Sequence, residues 1–220
     1  MPQWWTYTLG DFLMFSPRTY ARLIERYNAG AWPWQLVGWA AAAAVLGLGL
    51  RPRRPGAAAA ALLLGGTWVG MGYGFFWERY AAINFAARPL AAVCALEAVL
   101  LFRAARNGGL EPARAGDRRA GIGTLLLAAA LLYPALAPLL GHGWRQAEIV
   151  GLMPDPTAIA TIGWLLTMRG RGRGVLLAAP LLLVAVGALT LVALHRPEAA
   201  APGLALLLGG AALARGKPAE

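Results

Sequence analysis

Residues 66–89, with the sequence GTWVGMGYGFFWERYAAINFAARP, decide how this chain folds. A glycine-containing apolar run leads into the aromatic residues Phe75, Phe76 and Trp77, and a short polar connection follows. A second apolar run then begins around Arg88 and Pro89. Aromatic rings of this kind are typical of the interface between lipid and water. The stretch therefore predicts a hairpin between two membrane-spanning helices.

The composition agrees with a membrane protein. Of the 220 residues, 59% are hydrophobic and 14% are charged, whereas a soluble domain carries about 25% charged residues. The net charge of +10 lies in short basic clusters between apolar runs, where basic residues orient helices in a bilayer. We therefore predict an all-α, polytopic transmembrane bundle that contacts lipid and does not bind nucleic acid.

Seven apolar runs approach the roughly 20 residues that cross a hydrocarbon core about 30 Å thick. They lie near residues 34–50, 57–76, 81–102, 120–140, 149–168, 174–194 and 199–214. Six spans, with one short run re-entrant, is the alternative. Together these runs form a predicted transmembrane domain over residues 34–214.

Residues 1–33 are too polar to span and are predicted to form an amphipathic interfacial segment. Ser16 is expected to cap a helix whose first residue is Pro17. Tyr20, Leu23 and Ile24 then recur with helical spacing on one face. Such a face can lie in the headgroup region or against the protein itself, and the sequence leaves both open.

Basic residues alternate between the connections. The connections after spans one, three and five hold three, five and three arginines, and those after spans two, four and six hold one each. The positive-inside rule places the arginine-rich connections and the tail 215–220 in the cytoplasm. The N-terminal segment would then be outside, although its own three arginines run against the rule.

Two charged residues fall inside span three. Arg88 and Glu97 are nine residues apart, which is half a turn out of phase, so they cannot pair along one straight helix. Charged groups in a bilayer usually face protein or water and mark function. Glu97 is the deeper one and the stronger functional candidate, whereas Arg88 can also extend to the outer interface.

Prolines predict breaks in two spans. Pro89 is expected to break span three, and Pro154 and Pro156 to break span five, with Asp155 as an N-cap. Broken spans can present free helix ends to a ligand. We therefore predict an outward-facing vestibule lined by Tyr73, Asn84, Arg88, His142, Asp155 and Thr157.

Gly66, Gly70 and Gly74 recur every four residues in span two. Small residues at this spacing allow another helix to approach closely. We predict a helix-packing face here, with the wall of a transport pathway as the alternative.

Motifs for catalysis are not legible. The chain has two histidines, one cysteine and one serine, and it lacks a P-loop, a haem-attachment motif and a legible catalytic triad. We expect a non-enzymatic protein without metal or cofactor. The first hypothesis is a scaffold or accessory subunit of a membrane complex, which docks a membrane-protein partner through the glycine face and the interfacial helix. A small transporter or channel for an ion or solute, using broken spans three and five, is the alternative. The two halves show no internal repeat, which favours the first.

Several short motifs occur in an order that resembles a known family. They are Tyr27-Asn28, Trp32-Pro33 with Gln35, Gly70-Met-Gly-Tyr73, Phe75-Phe76, Ile83-Asn84, Gly141-His142, Gly151 and Pro156-Thr157. Together they resemble the bacterial multi-pass membrane proteins of the domain-of-unknown-function family numbered 6064. The resemblance implies a bacterial inner-membrane protein without an assigned activity. This chain departs from the family pattern at Gly74, where relatives often have histidine, and at Asp155, where they often have cysteine.

Overall fold

The structure is a computed structural model that describes residues 13, 15–51, 53–114, 116–170 and 172–214. The first part of the predicted interfacial segment, residues 1–12 and 14, and the predicted tail 215–220 lie outside the described residues. The described helices are α1 Pro17–Gly30, α2 Trp34–Leu50, α3 Arg54–Met71, α4 Ala87–Asn107, α5 Arg118–Leu132, α6 Leu136–Leu139, α7 Pro154–Leu166, α8 Arg173–Ala193 and α9 Ala200–Ala214. A π-helical segment, Gly72–Trp77, extends α3, and 3₁₀ turns cover Tyr80–Ala82, Tyr133–Ala135, Trp144–Gln146 and Pro197–Ala199. The strands β1 Glu111–Pro112 and β2 Met168–Arg169 pair antiparallel. The described part of the chain is thus all-helical apart from one short ribbon, and the predicted all-α class is confirmed.

Helix α7 is the centre of the bundle. It packs against α2, α3, α5, α8 and α9, and every residue from Asp155 to Leu166 is buried. Thirteen residues give a helix of only about 20 Å. The predicted fifth span is therefore a short helix enclosed by other helices, and its apolar side chains face protein.

The arginine-rich connections meet at one end of the bundle. Glu111, in the connection after α4, forms ion pairs with Arg54 at the start of α3 and, at 3.2 Å, with Arg169 after α7. The β1–β2 ribbon joins the last two of these connections. Near the end of α9, the Leu213 Cδ1 atom lies 3.6 Å from the position that a Cβ atom on Gly174 would take at the start of α8. Connections predicted to share one side therefore do share one end.

Helix α1 lies across the opposite end. It begins after Ser16, whose hydroxyl accepts a hydrogen bond from the Thr19 N–H at 3.2 Å, so the predicted N-cap is confirmed. The Tyr20, Ile24 and Tyr27 side chains are buried against the bundle. Of the two surfaces left open by the sequence, the apolar face thus covers the protein's own helices. Helix α1 turns by 92° into α2.

Helix α4 does not have the break that was expected in span three. It runs unbroken for 21 residues, about 31 Å. Pro89 falls in the first turn, where the missing N–H would have no intrahelical acceptor. The prediction that Pro89 breaks this span is therefore wrong.

Among the described residues, four helical stretches are long and apolar enough to cross a membrane, and a bent pair raises the number to five. They are Arg54–Ala82, Arg118–Leu139, Arg173–Ala193 and Pro197–Ala214, and the bent pair is α1 with α2. Helix α4 is long enough, but Arg88, Glu97 and Arg103 make it less apolar than the others.

Candidate functional site

The residues predicted to line one vestibule do not share one site. Arg88 and Tyr73 face an exposed groove between α3 and α4, with the Arg88 guanidinium carbon 5.5 Å from the centroid of the Trp77 ring. We call this the α3–α4 groove. Its volume is about 290 Å³, and it is lined by Trp68, Val69, Gly72, Tyr73, Trp77, Arg88, Ala91, Ala92 and Ala95. The groove is apolar except for Arg88 at one end.

Asp155 lies on the inside of the bundle. Helix α7 begins at Pro154, so Asp155 belongs to its first turn, and the prediction that it is an N-cap is wrong. The side chain is 2% exposed, and its Oδ1 atom has no hydrogen-bond partner among the described residues. A Cβ atom on Gly187 would lie 1.9 Å from that oxygen. Glycine in α8 therefore makes the space that the carboxylate occupies.

A small cavity adjoins Asp155. It measures about 20 Å³ and is lined by Tyr20, Phe75, Phe76, Tyr80, Leu90, Pro154, Asp155, Leu183, Val186, Gly187 and Thr190. A polar cavity of this size can hold a single water molecule. The two predicted site residues Arg88 and Asp155 therefore face different spaces.

Thr157 has a structural role. Its hydroxyl accepts a hydrogen bond from the Gly151 N–H at 2.8 Å and donates to the Met153 carbonyl at 2.6 Å. Gly151 has φ +84°, a conformation that favours glycine. Thr157 thus fixes the turn that leads into α7.

Asn84 and His142 contact other polar groups at the α1 end. The Asn84 amide donates to the Tyr80 hydroxyl at 3.0 Å, and Tyr80 lines the Asp155 cavity. His142 Nε2 lies 3.1 Å from Glu198 Oε1, and the same carboxylate accepts from Arg196 at 2.6 Å. Asn84 is thus connected to the Asp155 cavity through Tyr80, and His142 contacts Glu198 instead.

The structure adds a buried polar cluster that the sequence did not reveal. It comprises Tyr20, Tyr133, Glu148, Asp155, Arg196 and Glu198, which lie close enough to interact electrostatically. The Tyr133 hydroxyl and Glu148 Oε2 are buried without a hydrogen-bond partner among the described residues. These residues come from α1, the end of α5, the start of α7 and two short connections, so no regular sequence spacing relates the whole cluster.

Burial and charge act differently on the two glutamates. Burial raises the pKa of Glu148 well above its ordinary value, Asp155 raises it further, and Arg196 opposes both. Arg196 pairs with Glu198 instead, with its Nη2 atom 2.6 Å from Glu198 Oε1. Glu148 therefore retains a proton more readily than an exposed carboxyl group does.

Stability should fall as the pH rises, because of Glu148. A carboxyl group whose pKa is raised on folding stabilises the folded state below its unfolded value near 4.5 and loses that contribution as the pH passes its folded value. We expect the apparent Tm in detergent to decline above about pH 5 and the decline to be shallower in Glu148→Gln. Glu78→Gln, which changes an exposed carboxylate at the same end, should keep the wild-type slope. Equal slopes in wild type and Glu148→Gln would contradict this assignment.

Glu97 is sealed inside the bundle. It is 0% exposed, and neither carboxylate oxygen has a hydrogen-bond partner within the described part of the chain. Its nearest charged or polar neighbour on α4 is Cys94, one turn away. The residue is therefore deeply buried, as expected, but no partner from another helix satisfies it.

The three predicted packing glycines face different surroundings. A Cβ atom on Gly66 would meet nothing within 4 Å, one on Gly70 would lie 3.3 Å from the Gly151 carbonyl oxygen, and one on Gly74 would lie 2.8 Å from the Tyr27 hydroxyl. The π-helical turn after Met71 has more residues per turn, so it shifts Gly74 away from the face of the other two. Within the described chain, the three glycines therefore do not pack together against one neighbouring helix.

Close helix contacts occur at other glycines instead. A Cβ atom on Gly123 of α5 would lie 2.5 Å from the Gly163 carbonyl oxygen of α7, and one on Gly163 would lie 2.8 Å from the Gly123 oxygen. This pair brings the two backbones together. Across the described ranges, the His, Cys, Asp and Glu side chains do not form a group of three that could hold a metal ion.

Comparison with known proteins identifies the family. The model of DUF6064, described as a family of unknown function, matches residues 18–209, from the start of α1 into α9. No curated protein and no solved structure matches the chain. This chain is therefore a member of DUF6064.

Proposed function

We propose that this protein is a multi-pass component of the bacterial cytoplasmic membrane that acts as a non-enzymatic scaffold or accessory subunit. Four or five apolar helices support membrane insertion. The meeting of the arginine-rich connections at one end supports an orientation with that end, and residues 215–220, in the cytoplasm. Helices α2, α3, α4, α5, α7, α8 and α9 would then cross in alternating directions, with α7 as an internal crossing.

The observation that carries the proposal is the contrast between a closed core and an open groove. The side chains of α7 from Thr157 to Leu166 are at most 2% exposed, and Glu97 is fully buried. Transport of an ion or solute requires a path past these residues, whereas docking of a partner requires an accessible surface. The α3–α4 groove supplies that surface.

The α3–α4 groove has the shape and chemistry for an apolar helix. Ala91 and Ala95, one turn apart on α4, and Ala92 beside them allow a second backbone to approach closely. Tyr73 and Trp77 are 64% and 51% exposed and form the opposite wall. Arg88 at the end of the groove can pair with a carboxylate or with free carbonyl groups at the end of a partner helix.

Filling the groove should release the partner. We expect Ala92→Phe to reduce the recovery of a co-purifying membrane protein at least about tenfold, a loss of about 1.4 kcal/mol in affinity. Ala40→Phe, which adds the same ring to an exposed position on α2, should leave recovery unchanged. The measurement is quantitative mass spectrometry of the protein purified from its own membranes in mild detergent.

Two results would contradict the proposal. One is the absence of any stoichiometric partner of the wild-type protein. The other is equal recovery with Ala92→Phe and Ala40→Phe, which would show that the groove does not hold the partner.

A further inference from the structure

A second groove lies between α1 and the connection that follows the π-helical segment. Its volume is about 410 Å³, and it is lined by Thr19, Arg22, Leu23, Arg26, Glu78, Arg79, Ala82 and Ile83. We call it the α1 groove. It differs from the α3–α4 groove in being rich in charge.

Three arginines face the α1 groove together with one carboxylate. Arg22 and Arg26 are one turn apart on the exposed face of α1. Neither these two nor Arg79 forms an ion pair within the described part of the chain, and Glu78 is not bound to any of them there. The groove therefore keeps an excess of two positive charges.

Arg79 lies beside the end of α1. Its Nη2 atom lies 3.6 Å from the position that a Cβ atom on Gly30 would take, at the C-terminal end of α1. A helix C-terminus carries partial negative charge and attracts a cation. Glu25, the acidic residue of α1, instead accepts a hydrogen bond from Gln146 at 2.9 Å and does not neutralise the groove.

These arginines lie at the wrong end of the bundle for an orienting role. The arginine-rich connections meet at the opposite end, around Glu111. Basic residues that orient a membrane protein concentrate on its cytoplasmic side. The positive charge of the α1 groove therefore requires another explanation, such as a bound anion.

We propose that the α1 groove binds the phosphate of an anionic phospholipid headgroup. The guanidinium group of an arginine can donate two parallel hydrogen bonds to two oxygens of one phosphate. Leu23, Ala82 and Ile83 add an apolar border to the same groove, which suits an amphiphile better than a free anion. The inference rests on the membrane insertion proposed above and is independent of the α3–α4 groove.

The test measures thermal stability of the full chain in a neutral detergent. Dihexanoyl phosphatidylglycerol should raise the apparent Tm of the wild type, whereas dihexanoyl phosphatidylcholine and inorganic phosphate at the same concentration should not. The double variant Arg22→Gln with Arg26→Gln should weaken the apparent affinity for the anionic lipid at least about tenfold. Arg145→Gln removes an exposed arginine elsewhere at the same end and should retain wild-type affinity.

Glu78→Gln gives a test in the opposite direction. It removes the one negative charge of the groove without deleting an arginine, so it should tighten binding of the anionic lipid. Stabilisation by inorganic phosphate to the same extent would overturn the lipid assignment. Unchanged affinity in both the double variant and Glu78→Gln would overturn the site. The lipid-binding results do not depend on whether Ala92→Phe loses a membrane partner, so the two proposals can fail separately.

Discussion

Replacing Gly123 by alanine is expected to lower the free energy of unfolding by about 3 kcal/mol, the upper part of the range for overpacking a close contact. The added methyl group would lie 2.5 Å from the Gly163 carbonyl oxygen and 2.9 Å from the Leu166 Cβ atom. Neither atom belongs to a flexible side-chain end, so α5 and α7 must separate. A change of this size lowers the apparent Tm by about 6–12 °C in a chain of this length. Fluorescence-detected thermal unfolding in detergent measures it.

Gly121→Ala is the matched control on the same helix. A Cβ atom at Gly121 would meet nothing within 4 Å, and alanine is favoured over glycine inside a helix by about 0.5–1 kcal/mol. We expect Gly121→Ala to be neutral or stabilising, so the two substitutions should have opposite effects. Similar behaviour of the two variants would show that α5 and α7 are not in contact at Gly123.

Asn28→Ala is expected to cost about 2–3 kcal/mol, because it leaves two buried or partly buried acceptors without their donor. The Asn28 amide donates to the carbonyl oxygens of Arg145 and Ala147, each at 2.8 Å. These two bonds attach α1 to the connection that precedes α7. Loss of both should also expose α1 to limited proteolysis well below the temperature of global unfolding.

Asn107→Ala serves as its control, since Asn107 is exposed at the end of α4. It should change neither the apparent Tm nor the rate of proteolysis measurably. If Asn28→Ala digests at the wild-type rate and melts at the wild-type temperature, α1 is held by its apolar face alone.

Sequence patterns predicted where helices lie and where they begin better than they predicted which helices pack against each other. Ser16 followed by proline is a local signal, and the structure forms the cap that it predicts. The alternation of arginines between connections likewise predicted which connections meet. The break predicted at Pro89 was wrong, because a proline in the first turn of a helix and one in its middle look alike in sequence.

The burial of α7 and the position of Asp155 could not be predicted from the sequence. An apolar run has the same composition whether lipid or protein covers it, so the run around Ile159 gives no sign that five helices surround it. Pro154 and Pro156 each offer a helix start, and the structure uses the earlier one. Asp155 consequently moves from a capping position into the core beside Gly187.

The α3–α4 groove and the buried polar cluster also depend on contacts between distant segments. Tyr73 and Arg88 were identified as candidates, but their partner Trp77 and the small residues opposite follow only from the packing of two helices. Glu148 and Arg196 stand in short connections that look like ordinary loops. Only the fold brings them to Tyr20 and Asp155.

The most direct test of the proposed role as a membrane subunit is photo-crosslinking in intact native membranes. A benzophenone amino acid would be placed at Ala92 in the α3–α4 groove and, as the control, at Leu125 on the outer face of α5, which is 71% exposed. Our account predicts one discrete cross-linked protein of defined mass from position 92 and none from position 125. No product from position 92, or the same products from both positions, would contradict it.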